Sequence, residues 1–212
     1  MKRFLQIAFF LIVVRPLLAV VLGTNIRHAE RLPRKGPAIL AANHNSHLDT
    51  LLLMSMYPLT MLHRIRPVAA ADYFLHNRAL AWFALNIIHI IPLERSHKSM
   101  RGDFANIEAA LAVGDIVLLF PEGTRGEPEK RGKLKSGIVH LMEHLPNVPV
   151  VPVYMHGLGK ALPKGEWLPI PFFADVFVGE TLHWRGDRTE TIEALERSFA
   201  TIESNGQFST WE

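Results

Sequence analysis

Hydrophobic and polar positions along this chain alternate between two patterns. Short unbroken apolar runs, closed by Gly, Pro or a charge, are separated by longer stretches in which apolar residues recur three or four apart. The first pattern reads as strands buried on both faces, the second as amphipathic helices. Strands are expected over 37–42, 68–71, 87–91, 116–120, 148–155 and 172–178, and helices over 50–56, 73–86, 99–113, 134–145 and 188–202. Phe104, Ile107, Ala110 and Leu111 form one stripe of the 99–113 helix, which Gly114 stops. Ile192, Leu195, Phe199 and Ile202 form the core-facing stripe of the last helix. Strands alternating with helices build βαβ units. The expected fold is therefore α/β, with a central, mostly parallel sheet flanked by helices. Ligands of such sheets gather outside the carboxyl ends of the strands, so chemistry is sought just after each strand.

The first 24 residues break the alternation. Lys2 and Arg3 precede a run from Phe4 to Leu22 that is apolar except for Gln6, Arg15 and Pro16. A spanning helix needs roughly 20 apolar residues. Arg15 sits inside this run, at a cost of about 2.5–3.5 kcal/mol at a bilayer centre, and Pro16 removes a backbone donor. The reading is two short apolar segments, 4–14 and 16–22, half-inserted in a membrane rather than spanning it, with a signal peptide or a buried core helix as the alternatives. Residues 1–24 are expected to be a membrane-associated segment and 25–212 the catalytic domain.

Composition narrows the choices. The chain has 212 residues, 49% hydrophobic and 20% charged, enough to bury a core and too apolar for disorder. Mean hydropathy is +0.13, the pI is about 9.3 and the formal charge only +3. That mild balance suits an anionic membrane and gives no nucleic-acid footprint. Cysteine is absent, which excludes disulfides, thiolate zinc sites and a thiol nucleophile.

Two polar clusters follow directly on strands: Asn43-His44-Asn45-Ser46-His47-Leu48-Asp49 and Phe120-Pro121-Glu122-Gly123-Thr124-Arg125-Gly126. With His44 in the loop and Asp49 in the first helical turn, the carboxylate can accept the Nδ1 proton. Nε2 is then left as a general base for a hydroxyl. Ser46-x-x-Asp49 also matches a helix capping box, which competes for the same carboxylate. The second cluster is a turn around a flexible Gly, where Arg125 is suited to a phosphate. Arg131, Lys133 and Lys135 read as a solvated basic face. His140-Leu141-Met142-Glu143-His144 matches H-x-x-E-H, with both histidines on one helical face, and gives zinc hydrolysis as a remote alternative.

Asn43-His44-x4-Asp49 followed by Phe120-Pro121-Glu122-Gly123-Thr124-Arg125 resembles the glycerolipid acyltransferases of the lysophosphatidic acid acyltransferase (PlsC-like) family. Ile87 to Arg95 looks like the second block of that family. Val148-Pro149-Val150-Val151-Pro152-Val153 looks like the fourth, and Lys135-Ser136-Gly137 fits a Lys-x-Gly after the third. The resemblance covers roughly residues 25–180. It implies transfer of a fatty acyl group from acyl-CoA or acyl-carrier protein to a lysophospholipid hydroxyl, first of all that of 1-acyl-glycerol 3-phosphate. His44 would be the base and Asp49 its orienter. Arg95, Gly123 and Arg125 would hold the acceptor's phosphate and Glu122 would place its polar groups. Thr124 and Lys135 would join the substrate-binding set, and Pro152 would pack near the acyl donor. No metal or bound cofactor is implied. The expected location is the cytoplasmic face of the inner or plasma membrane, with membrane lipids as partners. Lyso-ornithine lipid, another lysophospholipid or glycerol 3-phosphate are alternative acceptors, and a non-catalytic membrane-binding module is the alternative of another class.

Overall fold

A computed structural model of the chain describes residues 1–94, 100–126, 129–162, 166 and 168–206. Seven strands form one sheet in the order β1-β7-β6-β2-β5-β3-β4: β1 Leu22–Arg27, β2 Ala38–Ala42, β3 Ile65–Ala70, β4 Ile91–Leu93, β5 Ile116–Leu119, β6 Val150–His156 and β7 Phe172–Val178. All neighbours are parallel except β6 and β7. The helices are α1 Lys2–Val21, α2 Leu48–Ser55, α3 Arg78–Ile88, α4 Met100–Ala112, α5 Gly137–His144 and α6 Arg188–Gly206.

The central strands are apolar throughout because both faces are covered. Successive residues alternate between two cores, Ala38, Leu40 and Ala42 on one side of β2 and Ile39 and Ala41 on the other. Side chains of α1 and α2 complete the first core, those of α5 and α6 the second. This layering sends the carboxyl ends of β2 and β5 to the same edge of the sheet.

Four local readings change. The N-terminal run is one continuous helix, Lys2–Val21, rather than two segments. A π-helical turn over Phe10–Val14 precedes Pro16, and this wider turn lets the helix continue past a residue that lacks an N–H. Phe10, Val14, Leu18 and Val21 are buried, each side chain contributing about 1.5–3 kcal/mol. Phe4, Ile12 and Val20 stay 70% or more exposed. The Arg15 guanidinium donates to the Tyr57 carbonyl at 3.0 Å. The helix is long and apolar enough to cross a membrane.

Polar Leu22–Arg27, which lacks strand alternation, is a strand because it pairs along its whole length with β7. Residue 24 lies inside it. The 73–86 helix is split, and α3 is capped by Asn77, whose Oδ1 accepts from the amides of Ala79 and Leu80. Ile87 and Ile88 end α3, and the strand comes later, at Ile91–Leu93. It is an edge strand, where Pro92 is tolerated.

Candidate active site

At the end of β2 the chain is pinned by Asn43. Its buried amide accepts from the Met155 N–H at 2.6 Å and donates to the Met155 carbonyl at 2.8 Å, tying β2 to β6. The loop that follows turns into α2, whose first turn carries Asp49, 1% exposed at its side chain. One oxygen, Oδ2, accepts from His44 Nδ1 at 2.8 Å, from the Asn45 amide at 2.7 Å and from the Ser46 amide at 2.8 Å. Capping and orienting therefore do not compete; a single oxygen does both. A carboxylate only accepts, so Nδ1 is the protonated nitrogen and the neutral ring keeps its lone pair on Nε2. Phe120 stacks on the imidazole, with centroids 4.0 Å apart and planes 18° from parallel.

The loop after β5 is stitched to the first. Glu122, 4% exposed, accepts the His44 N–H on Oε1 at 3.0 Å and the Gly132 N–H on Oε2 at 2.8 Å. The Gly126 amide donates to the His44 carbonyl at 3.0 Å. The His44 backbone is thus held on both sides. Burial pushes the Glu122 carboxyl above its ordinary range, opposed by those two amides and by the His44 and Arg131 charges.

Gly123 has φ +74, and a Cβ there would come within 2.8 Å of Lys135 Nζ, so the glycine lets the ammonium sit against the turn. Arg125 Nη1 is buried and has no hydrogen-bond partner among the described residues. Between these groups and β3 lies a cavity of about 290 Å³. His44, His47, Gly123 and Arg125 border it, and Val68, Phe74, Phe83, Ile88, Leu93 and Leu119 give it apolar walls. Partial desolvation, then the Arg125 charge, hold His47 below the ordinary imidazole value.

The other expected site residues are placed as follows. Glu122 accepts a backbone amide on each oxygen, so it holds the His44 loop in place. Pro152 lies within β6, where it and Ile202 crowd Gly179, and does not line the cavity; it packs the α6 side of the sheet. Thr124 is exposed on the turn. Arg95 lies outside the described residues. In the H-x-x-E-H stretch, Glu143 is gripped by Arg188 at 2.6 Å and His144 faces Glu108 at 3.3 Å. Among the described residues no three His, Asp or Glu converge as metal ligands. The stacking by Phe120, the Asn43 clamp and the approach of Gly132 are not among the sequence expectations. Only the first two carry a signal, since Asn43 and Phe120 each open one of the two clusters.

The family model described as Acyltransferase matches residues 23–156, from within β1 to the last residue of β6. The chain belongs to the Acyltransferase family. This acyltransferase-family chain is 28% identical over 180 residues to the 1-acyl-sn-glycerol-3-phosphate acyltransferase of Pseudomonas aeruginosa, covering 81% of this chain and 64% of the relative. It is 30% identical over 124 residues to the lyso-ornithine lipid O-acyltransferase of Rhizobium meliloti, covering 56% of this chain and 38% of the relative. The matches thus span less than two thirds of either relative's length. The crystal structure of the 1-acyl-sn-glycerophosphate acyltransferase PlsC of Thermotoga maritima superposes with a TM-score of 0.76 at 18% identity, covering 99% of this chain and 83% of that one. At that identity the likeness speaks for the fold of the acyltransferase-family chain.

Proposed function

We propose that this chain is a 1-acyl-glycerol-3-phosphate O-acyltransferase working at a membrane surface. The observation that carries the reading is the meeting, in one cavity, of an Asp49-oriented imidazole, a buried and unpartnered guanidinium N–H, and apolar walls. His44 Nε2 takes the proton of the acceptor hydroxyl. The oxygen attacks the thioester carbonyl carbon of acyl-CoA or acyl-carrier protein, the C–S bond breaks, and the imidazolium proton neutralises the leaving thiolate. Arg125 and Lys135 supply positive charge for the acceptor's phosphate, and the apolar walls receive acyl chain. The reaction so written needs no metal and no bound cofactor. The exposed apolar face of α1, with Lys2 and Arg3 before it, docks the enzyme on membrane lipids at the cytoplasmic face.

The match to a lyso-ornithine lipid enzyme supports a second acceptor class. Purified protein incubated with acyl-CoA or acyl-carrier protein and a panel of lysolipids separates them by mass spectrometry. Diacylglycerol phosphate as the main product supports the proposal. Exclusive acylation of a phosphate-free lysolipid replaces the acceptor, and no acylation with any donor overturns the reading.

A further inference from the structure

The strap after the second loop reads, by sequence, as a solvated basic face. In the structure Arg131 is only 14% exposed at its side chain and faces inward onto α6. Its Nη1 meets Glu196 Oε2 at 2.6 Å and its Nε meets Glu203 Oε1 at 3.1 Å. The guanidinium also lies 5.2 Å from the ring centroid of Phe199. Residues 196, 199 and 203 share one face of α6. The other Glu196 oxygen accepts the Leu134 amide at 3.3 Å, so the helix holds the strap at two points.

Between those two points is Gly132. Its amide donates to Glu122 Oε2, and a Cβ there would fall 2.7 Å from that oxygen. A glycine lets the backbone come this close, and the contacts of Arg131 and Leu134 with α6 anchor the strap on either side of it. Glu122 in turn holds the His44 amide through its other oxygen. A continuous chain of contacts therefore runs from α6 through Arg131, Gly132 and Glu122 to the backbone of the base.

We propose that Arg131, clamped by Glu196 and Glu203, is a positioning residue for His44, acting through the Gly132 amide and the Glu122 carboxylate. Losing the clamp frees the strap and takes one of two amide donors from a buried carboxylate. The Arg131 charge also helps keep Glu122 ionised against burial. The effect on rate rests on His44 being the base of the proposed reaction; the effect on the His44 loop does not.

The test is amide hydrogen exchange on the whole chain, with steady-state kinetics beside it. Arg131→Ala removes the clamp, and Glu203→Gln, at a partly exposed partner, weakens it with little risk to folding. Both are made with Glu122 intact and with Glu122→Gln. Expected are faster exchange over residues 43–48 with β3 unchanged, and a fall in kcat of up to about 100-fold with little change in KM. Arg131→Lys keeps the charge without the fork and restores only part of kcat. With Glu122→Gln, removing Arg131 adds nothing further over 43–48. Faster exchange confined to 129–135 and α6 overturns the inference, as does an undiminished effect with Glu122→Gln. Because exchange needs no substrate, an inactive wild-type protein would sink the proposed reaction and leave this result readable.

Discussion

The two ends of the sheet use the same kinds of side chain to opposite effect. At the amino end, buried Asp115 stands just before β5, facing Arg64 at 3.2 Å and Arg66 at 3.3 Å. Each arginine has a second acceptor, the Val113 carbonyl at 2.8 Å for Arg64 and the His89 carbonyl at 2.9 Å for Arg66. At the carboxyl end, Arg125 keeps a buried N–H that nothing among the described residues accepts. One end closes its charges on themselves and holds strands in place. The other leaves a cation and a base facing a cavity, and pays for it in desolvation. The unpaired group, rather than the mere presence of arginine, marks the end where a ligand belongs.

That contrast is broken most severely by removing the base. His44→Ala is expected to lower turnover by about 10²–10⁴-fold with an unchanged fold, checked by acyl-transfer kinetics and circular dichroism. Arg125→Ala should weaken handling of a phosphate-bearing acceptor by about 1.5–3 kcal/mol, roughly 10- to 150-fold. It should cost much less with a phosphate-free lysolipid; equal losses would assign Arg125 another role. At the amino end, Asp115→Asn should leave kcat alone and lower unfolding free energy in urea by about 1–3 kcal/mol. The lower figure is favoured because Arg64 is half exposed and solvent screens it.

The smallest effect concerns pH. Glu122 has a folded-state pKa above the ordinary value of 4.5. Its contribution to stability is therefore full below that value and is lost as pH rises through the raised one. Denaturation from pH 4.5 to neutrality should show this slope in the wild type and lack it in Glu122→Gln. An identical slope in both would place the titration elsewhere.

Most of this contrast was open to sequence reasoning at the carboxyl end and closed at the amino end. Strands β2 and β5 are unbroken apolar runs, and their burial on both faces makes the pattern plain. His44, Asp49 and Arg125 were visible because each follows such a run within a few residues. β1 was hidden, since its Gly, Thr, Asn and Arg owe their strand conformation to β7 and not to their own propensity. The Arg64–Asp115–Arg66 group was hidden as well, because residues about 50 positions apart meet only through the pairing of β3 with β5. Glu122 was visible, but its hold on the His44 loop was not. Its spacing from His44 says nothing of which backbone amides will fill its two oxygens.

The central claim is that the carboxyl end of the sheet is an open site for acyl transfer with His44 as base. Mass-spectrometric product analysis of wild-type protein and folded His44→Ala, given 1-acyl-glycerol 3-phosphate with a thioester donor, tests it most directly. Diacylglycerol phosphate is expected from the wild type and almost none from the variant. Equal product from both, or none from the wild type with any acceptor and donor, would contradict it.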